Sequence, residues 1–281
     1  MEKACWARTL DEAVASDAPR VYLGHESCPD LLPARQPLLD AVLRLRDAGR
    51  RITLVTPFVT ERETVRIRAL IESLSRSLGR YEVVCSDWGL LRWLAASRLA
   101  EPVVGRLLAG QATDPRLAAL DQPARQRPHE RIVHHADGTA VRLRYRRPTQ
   151  ALMTHLRGCS LDDAEVLPYL AGLGVGRFEV SNLLQGLRLS PPAGWKVTLH
   201  VPEVPLAIAR RVWVEPGSQW LHPTFPVPLH RRENVLFYRH SRIPANAEAS
   251  GIDRVVYQAG AVVSSRSRDR GIRSDAARRR R

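Results

Sequence analysis

At 281 residues, 44% hydrophobic and 26% charged, the chain is long enough for one large core or two smaller ones and has the composition of an ordinary globular protein. No apolar run approaches the ~18 residues of a membrane-crossing helix, and the first twenty residues mix acids with bases and lack the apolar stretch and cleavage site of a secretory signal. The formal charge of +14 is uneven: eight arginines against Asp269 and Asp275 give residues 266–281 a net +6, which leaves +8 on the preceding 265 residues.

Cys5, Cys28, Cys85 and Cys159 lie far apart with no CxxC pair. That spacing argues against a disulfide framework or a self-contained zinc ribbon, so reduced thiols in a cytoplasmic protein are expected.

In chain order, residues 1–19 form an N-terminal segment, and a strand at RVYLG (20–24) precedes a helical PLLDAVLRLRDAG (37–49). RITLVTPF (51–58) is followed by TERETVRIRALIESLSRSLG (60–79), where Thr60 and Glu63 make a capping box and Gly79 a stop. YEVVCSD (81–87) with DWGLLRWLAASRLA is a third βα unit, and PVVGRLL (102–108) opens a fourth. RIVHH, the turn ADG and TAVRLRYR read as a β-hairpin. A helix is expected over 160–174, then strands at GRFEVSN (176–182), GWKVTLHV (194–201), NVLFYR (234–239) and DRVVYQ (253–258), with a short helix near PANAEASG. At least seven strands spaced by helices predict an α/β fold, a TIM-like or incomplete (β/α) barrel over residues 20–260 carrying an inserted β-hairpin. Residues 261–281, rich in Arg and Ser, form a tail that cannot offset its ordering entropy and is expected to be disordered.

In such a barrel function belongs at the C-terminal ends of the strands. Those ends carry His25, Glu26 and Cys28; Thr56; Ser86, Asp87 and Trp88; Arg106; Ser181 and Asn182; and His200. His25, Glu26, Asp87 and His200 are the candidate acid–base groups, and Trp88, Arg106 and Asn182 the candidate substrate-binding ones. No GxSxG or HExxH occurs, and HERIVHH (129–135) spaces its histidines wrongly for one helical face. In the tail, Arg278, Arg279, Arg280 and Arg281 are the strongest attractors of a polyanion, nucleic acid included.

VYLGHESCP (21–29) resembles the first strand of peptidase U32 family proteins, where a strand ending in Gly leads to a cysteine. DAGRRITLVTPF (47–58), CSDWGLLRWL (85–94) and GRLLAG (105–110) are similar to that family's next three βα units, and RFEVSNLLQGL (177–187), FPVPLHRRENVLFYR (225–239) and IPANAEASGIDRVVY (243–257) to later segments. The resemblance implies the barrel and, for the collagenase-like members, peptidase activity. In members that support oxygen-independent hydroxylation, in ubiquinone synthesis or of RNA bases, it implies four cysteines around a four-iron cluster. Cys28 matches the first, but no cysteine follows Cys159, and Trp213 and Trp220 fall where further ligands are expected. One matching cysteine cannot hold a cluster. The expected protein is therefore a U32-like barrel with no cofactor, acting as partner or scaffold for another protein of the family in a biosynthetic or RNA-modifying pathway. The alternatives are an active U32-type hydrolase and a basic RNA-binding module that uses the arginine tail.

Overall fold

The computed structural model describes residues 1–121, 129–134, 137–145, 148–209, 219–220 and 225–259. Arg278 to Arg281, the rest of the tail, and Trp213 lie outside the described residues.

Eight parallel strands close into a barrel: β1 (Glu2–Trp6), β2 (Arg20–Gly24), β3 (Arg51–Thr56), β4 (Glu82–Cys85), β5 (Glu101–Val104), β8 (Arg177–Ser181), β9 (Lys196–Val201) and β14 (Ile252–Gln258). Each pairs with the next in chain order, and β14 closes against β1 with Glu2 opposite Arg254. Helices α1 (Leu10–Ala15), α2 (Arg35–Asp47), α3 (Glu61–Leu78) and α4 (Trp88–Ser97) follow the first four strands, the crossover pattern that keeps a parallel sheet buried on both faces. The expected capping box is present: the Thr60 amide donates to Glu63 Oε2 at 2.7 Å, and α3 ends at Gly79 with φ +67°.

After β5 the chain forms the hairpin β6 (His129–His134) and β7 (Ala140–Tyr145), then α5 (Gln150–Arg157) and α6 (Val166–Gly172). The single helix expected over 160–174 is divided into a 3-10 turn at Ser160–Asp162 and α6. Pro168 lacks an N–H and so belongs in a helix's first turn, which sets the start of α6. Ser160 meanwhile binds Ala109 O through both its amide and its hydroxyl. The short helix near PANAEASG is a 3-10 turn at Glu248–Ser250.

Between β9 and β14 a four-stranded antiparallel sheet is inserted, made of β10 (Glu203–Ile208), β11 (Gln219–Trp220), β12 (Leu229–Arg232) and β13 (Val235–Arg239) in the order β10-β13-β12-β11. β10 follows β9 with one residue between them, so the sheet starts at the C-terminal end of the barrel. Leu183, Val204, Leu229 and Tyr238 form its own small core.

Strand alternation divides the barrel into two environments. One face of the strands packs with the helices in a large apolar cluster that includes Val21, Leu54, Ile71, Leu91 and Val255. The inward face combines a small cluster, Ala4, Trp6, Tyr22, Val55, Val84, Val103 and Val256, with buried ions. At the N-terminal end Arg254 donates to Glu2 and Tyr22 and bidentately to Glu82, at 2.6–2.8 Å. Arg20 bridges Glu2 and Thr53 beside it. Among the described residues, no helix is long and apolar enough to cross a membrane.

Candidate functional site

The loop after β2 and the residues after β5 bring the first group together. Gly24, at φ +109°, has Val55 O where a side chain would begin, so the strand can leave the barrel there only as glycine. The turn sends Glu26 inward to Arg106: Nε and Nη2 of the guanidinium donate to the two carboxylate oxygens at 2.8 and 2.6 Å, and Nη1 to Glu203 O at 2.6 Å. Both side chains are buried. Burial alone would raise the Glu26 carboxyl, but the Arg106 charge and hydrogen bonds outweigh it and hold the group below its usual range. The Arg106 guanidinium also lies 5.4 Å from the Trp6 ring centre.

His25 is held from two sides. Its Nδ1 accepts from the Ser27 and Cys28 amides at 3.3 and 3.2 Å, which puts the ring proton on Nε2, 2.7 Å from Glu233 Oε2. Glu233 sits in the β12–β13 turn at φ +55°, a left-handed backbone that costs a non-glycine residue ~1–2 kcal/mol. The hydrogen bond from His25 is the largest influence lowering the Glu233 carboxyl. Next to it Asn234 donates to Ser27 O and Ala209 O and accepts from the Ser27 hydroxyl, each at 2.8 Å. Two adjacent turn residues thus fasten the inserted sheet to the barrel mouth.

Glu203, at the start of β10, gathers Arg8 at 3.1 Å, Arg232 through both Nη atoms at 2.5–2.8 Å, and Arg239 at 3.7 Å. Burial works against its charge, yet Arg232, with Arg8 and Arg106, keeps its carboxyl below the usual range. The space enclosed by Trp6, His25, Glu26, Arg106, Glu203 and Glu233 is only about 50 Å3. That holds a water or two, far from the ~300–1,000 Å3 of an ordinary small-molecule site.

His200 lies deeper, its Nε2 at 2.8 Å from Glu179 Oε2, with the rings of Trp6 and Tyr22 edge-on at 5.5 and 5.9 Å. Both members of the pair are almost fully buried, and Glu179 Oε1 has no hydrogen-bond partner among the described residues. Asn182 is buried and donates to His240 O and Arg242 O, tying the chain beyond β13 to the end of β8. Asp87 caps α4 by accepting from the Leu90 amide at 2.9 Å, and Trp88 begins that helix, exposed. Neither Asp87 nor Trp88 lines the cavity of Glu26 and Arg106.

Of the sequence candidates the fold joins His25, Glu26 and Arg106, sets His200 beneath them, and leaves Asp87, Trp88 and Asn182 apart. Trp6, Glu179, Glu203, Arg232 and Glu233 complete the cluster. Glu179 carries a readable signal, an acid inside an apolar strand, whereas Glu203 at the start of β10 and the turn that aims Glu233 have none.

The cysteines do not fit an iron–sulfur cluster. Cys28 is buried at the entry to the 3-10 turn Pro29–Leu31, while Cys85 and Cys159 pack with the apolar layer outside the barrel. Cys5 alternates with the inward Ala4 and Trp6, and burial pushes the Cys85 thiol up to about 12. Among the described residues no three His, Cys, Asp or Glu side chains are placed to share a metal ion.

A closed eight-stranded parallel barrel with an antiparallel sheet over its mouth defines a TIM-like α/β protein. No protein-family model and no curated protein matches the chain. Among solved structures it is similar to the U32 peptidase Mk0906, with 12% identity, a TM-score of 0.45, and coverage of 93% of this chain and 94% of that one.

Proposed function

We propose that the chain is a U32-like barrel protein without a cluster, serving as partner or scaffold for another protein, such as a cluster-bearing relative, in a biosynthetic or RNA-modifying pathway. The ordered family-like segments support the family reading, and the divergent cysteines support the missing cluster.

The observation that carries the scaffold reading is the condition of the mouth. Glu26 is neutralised by Arg106, Glu203 by Arg232 and Arg8, and His25 is saturated between two amides and Glu233. A general base needs a free lone pair within reach of a substrate proton, and a nucleophile needs such a base. Ser27 lies beside His25, but it is buried and its hydroxyl donates to Asn234. The geometry therefore favours a rigid, charge-paired mouth over hydrolytic machinery. With a library of quenched fluorescent peptides, the purified chain should show no turnover. Turnover abolished by Glu26→Gln or His25→Ala would contradict the proposal and establish the hydrolase.

A further inference from the structure

The end of the barrel opposite the mouth carries a second feature. All eight barrel strands start there, and a charged residue stands first or close to first in each: Glu2, Arg20, Arg51, Glu82, Glu101, Arg177, Lys196 and Arg254. Two adjoining hollows of about 510 and 200 Å3 open at this end and share Arg20, Arg51, Arg80, Glu82 and Glu101. Eight basic and four acidic side chains line the two together, an excess of four positive charges in a concave, polar space.

The acids are already saturated. Glu2 holds Arg20, Arg51 and Arg254 at 2.8 Å, and Glu82 holds Arg254 at 2.6 Å and Arg20 at 3.1 Å. Asp253 takes Arg177 at 2.7 Å, and Glu101 takes Arg80. Two cations are left over on the rim: Arg46 is paired with Asp47, but among the described residues the Arg50 guanidinium donates only to Asp17 O, and neither Arg50 nor Lys196 has a carboxylate within ion-pair distance. Gly174, Gly176 and Gly194 line the larger hollow, and a Cβ added at any of them would meet nothing within 4 Å.

We propose that this basin binds a small molecule bearing a di- or polyphosphate group. Guanidinium forks match phosphate oxygens, and a floor whose ion pairs are fixed in advance has little entropy to lose on binding. The shape argues against single-stranded nucleic acid, which needs aromatic platforms for its bases. The basin's one aromatic residue, Tyr81, is buried, with its hydroxyl tied to Ile71 O.

Calorimetric titration of the full chain with inorganic pyrophosphate should show saturable binding. The double variant Arg50→Ala/Lys196→Ala, which removes the unpaired cation of each hollow, should weaken it at least tenfold, the typical effect of one charge-assisted contact, with the ligand-free melting temperature unchanged. Glu101→Gln, which releases Arg80, should tighten it. No saturable binding would overturn the proposal, as would binding undiminished in the double variant Arg50→Ala/Lys196→Ala, which would place it on other arginines. Binding of a single-stranded RNA oligonucleotide without pyrophosphate would overturn it in favour of a nucleic-acid surface.

Discussion

Replacing Arg254 by Met should destabilise the protein by about 3–5 kcal/mol, the usual result of removing one partner from a buried ion pair. The methionine keeps most of the volume, but Glu82 loses a bidentate partner, Tyr22 loses its hydrogen bond and Glu2 loses one of three cations. The same network makes stability depend on acid. Burial opposes the Glu82 charge, yet Arg254, Arg20 and Arg177 lower its carboxyl from 4.5 to about 2. A depressed carboxyl contributes stability that is complete above its unfolded value and is lost as pH falls through the folded one. Glu82 should therefore contribute about 3 kcal/mol above pH 4.5 and lose it progressively towards pH 2. Urea unfolding of wild type and Arg254→Met across that range measures both effects. Equal midpoints at pH 7 would refute the role given to the network.

Arg106→Ala should cost a similar ~3–5 kcal/mol at neutral pH, because it leaves a buried Glu26 without its ion-pair and hydrogen-bond partner. With Arg106 gone, burial dominates and the Glu26 carboxyl rises instead of falling. A raised carboxyl binds its proton in the folded state, so the variant's deficit relative to wild type should shrink as the pH is lowered from 8 towards 5. Adding Glu26→Leu to Arg106→Leu should restore much of the stability lost in Arg106→Leu alone, since a matched apolar pair leaves no orphaned charge. A double variant no more stable than that single one would show that the pair is not coupled as the geometry indicates.

The sequence pattern reveals the barrel best where strand and helix signals reinforce each other. RVYLG ends at a turn glycine, YEVVCSD at the Asp87 cap and RITLVTPF two residues before the Thr60 cap, and β2, β3 and β4 fall within them. The first strand is missed because EKACW is short and sets two charged residues before three apolar ones, with no alternation of polarity to mark it. What alternates is burial: Ala4 and Trp6 face the barrel interior, and Glu2 joins the ion network at its end. The antiparallel sheet is harder to read still. Its Glu203, Arg232 and Glu233 look like surface charges along the chain, and only pairing between β10, β12 and β13 carries them to the mouth.

The site shows the same limit. His25, Glu26 and Arg106 were locatable from the rule that strand C-termini carry function, but Glu26 and Arg106 lie 80 residues apart and nothing local announces that they neutralise each other. Asp87 obeys the same rule and serves as the cap of α4. Position on a strand end thus selects residues near the mouth, while partner identity decides whether they remain chemically available.

The proposed absence of a cluster separates a charge-paired barrel from one capable of iron–sulfur redox chemistry. It is tested most directly by purifying the full chain without oxygen and measuring iron content together with the visible spectrum. A colourless protein with iron far below one atom per chain is expected from cysteines that diverge as Cys5, Cys28, Cys85 and Cys159 do. Stoichiometric iron with a brown absorbance that is lost on Cys28→Ser would contradict it.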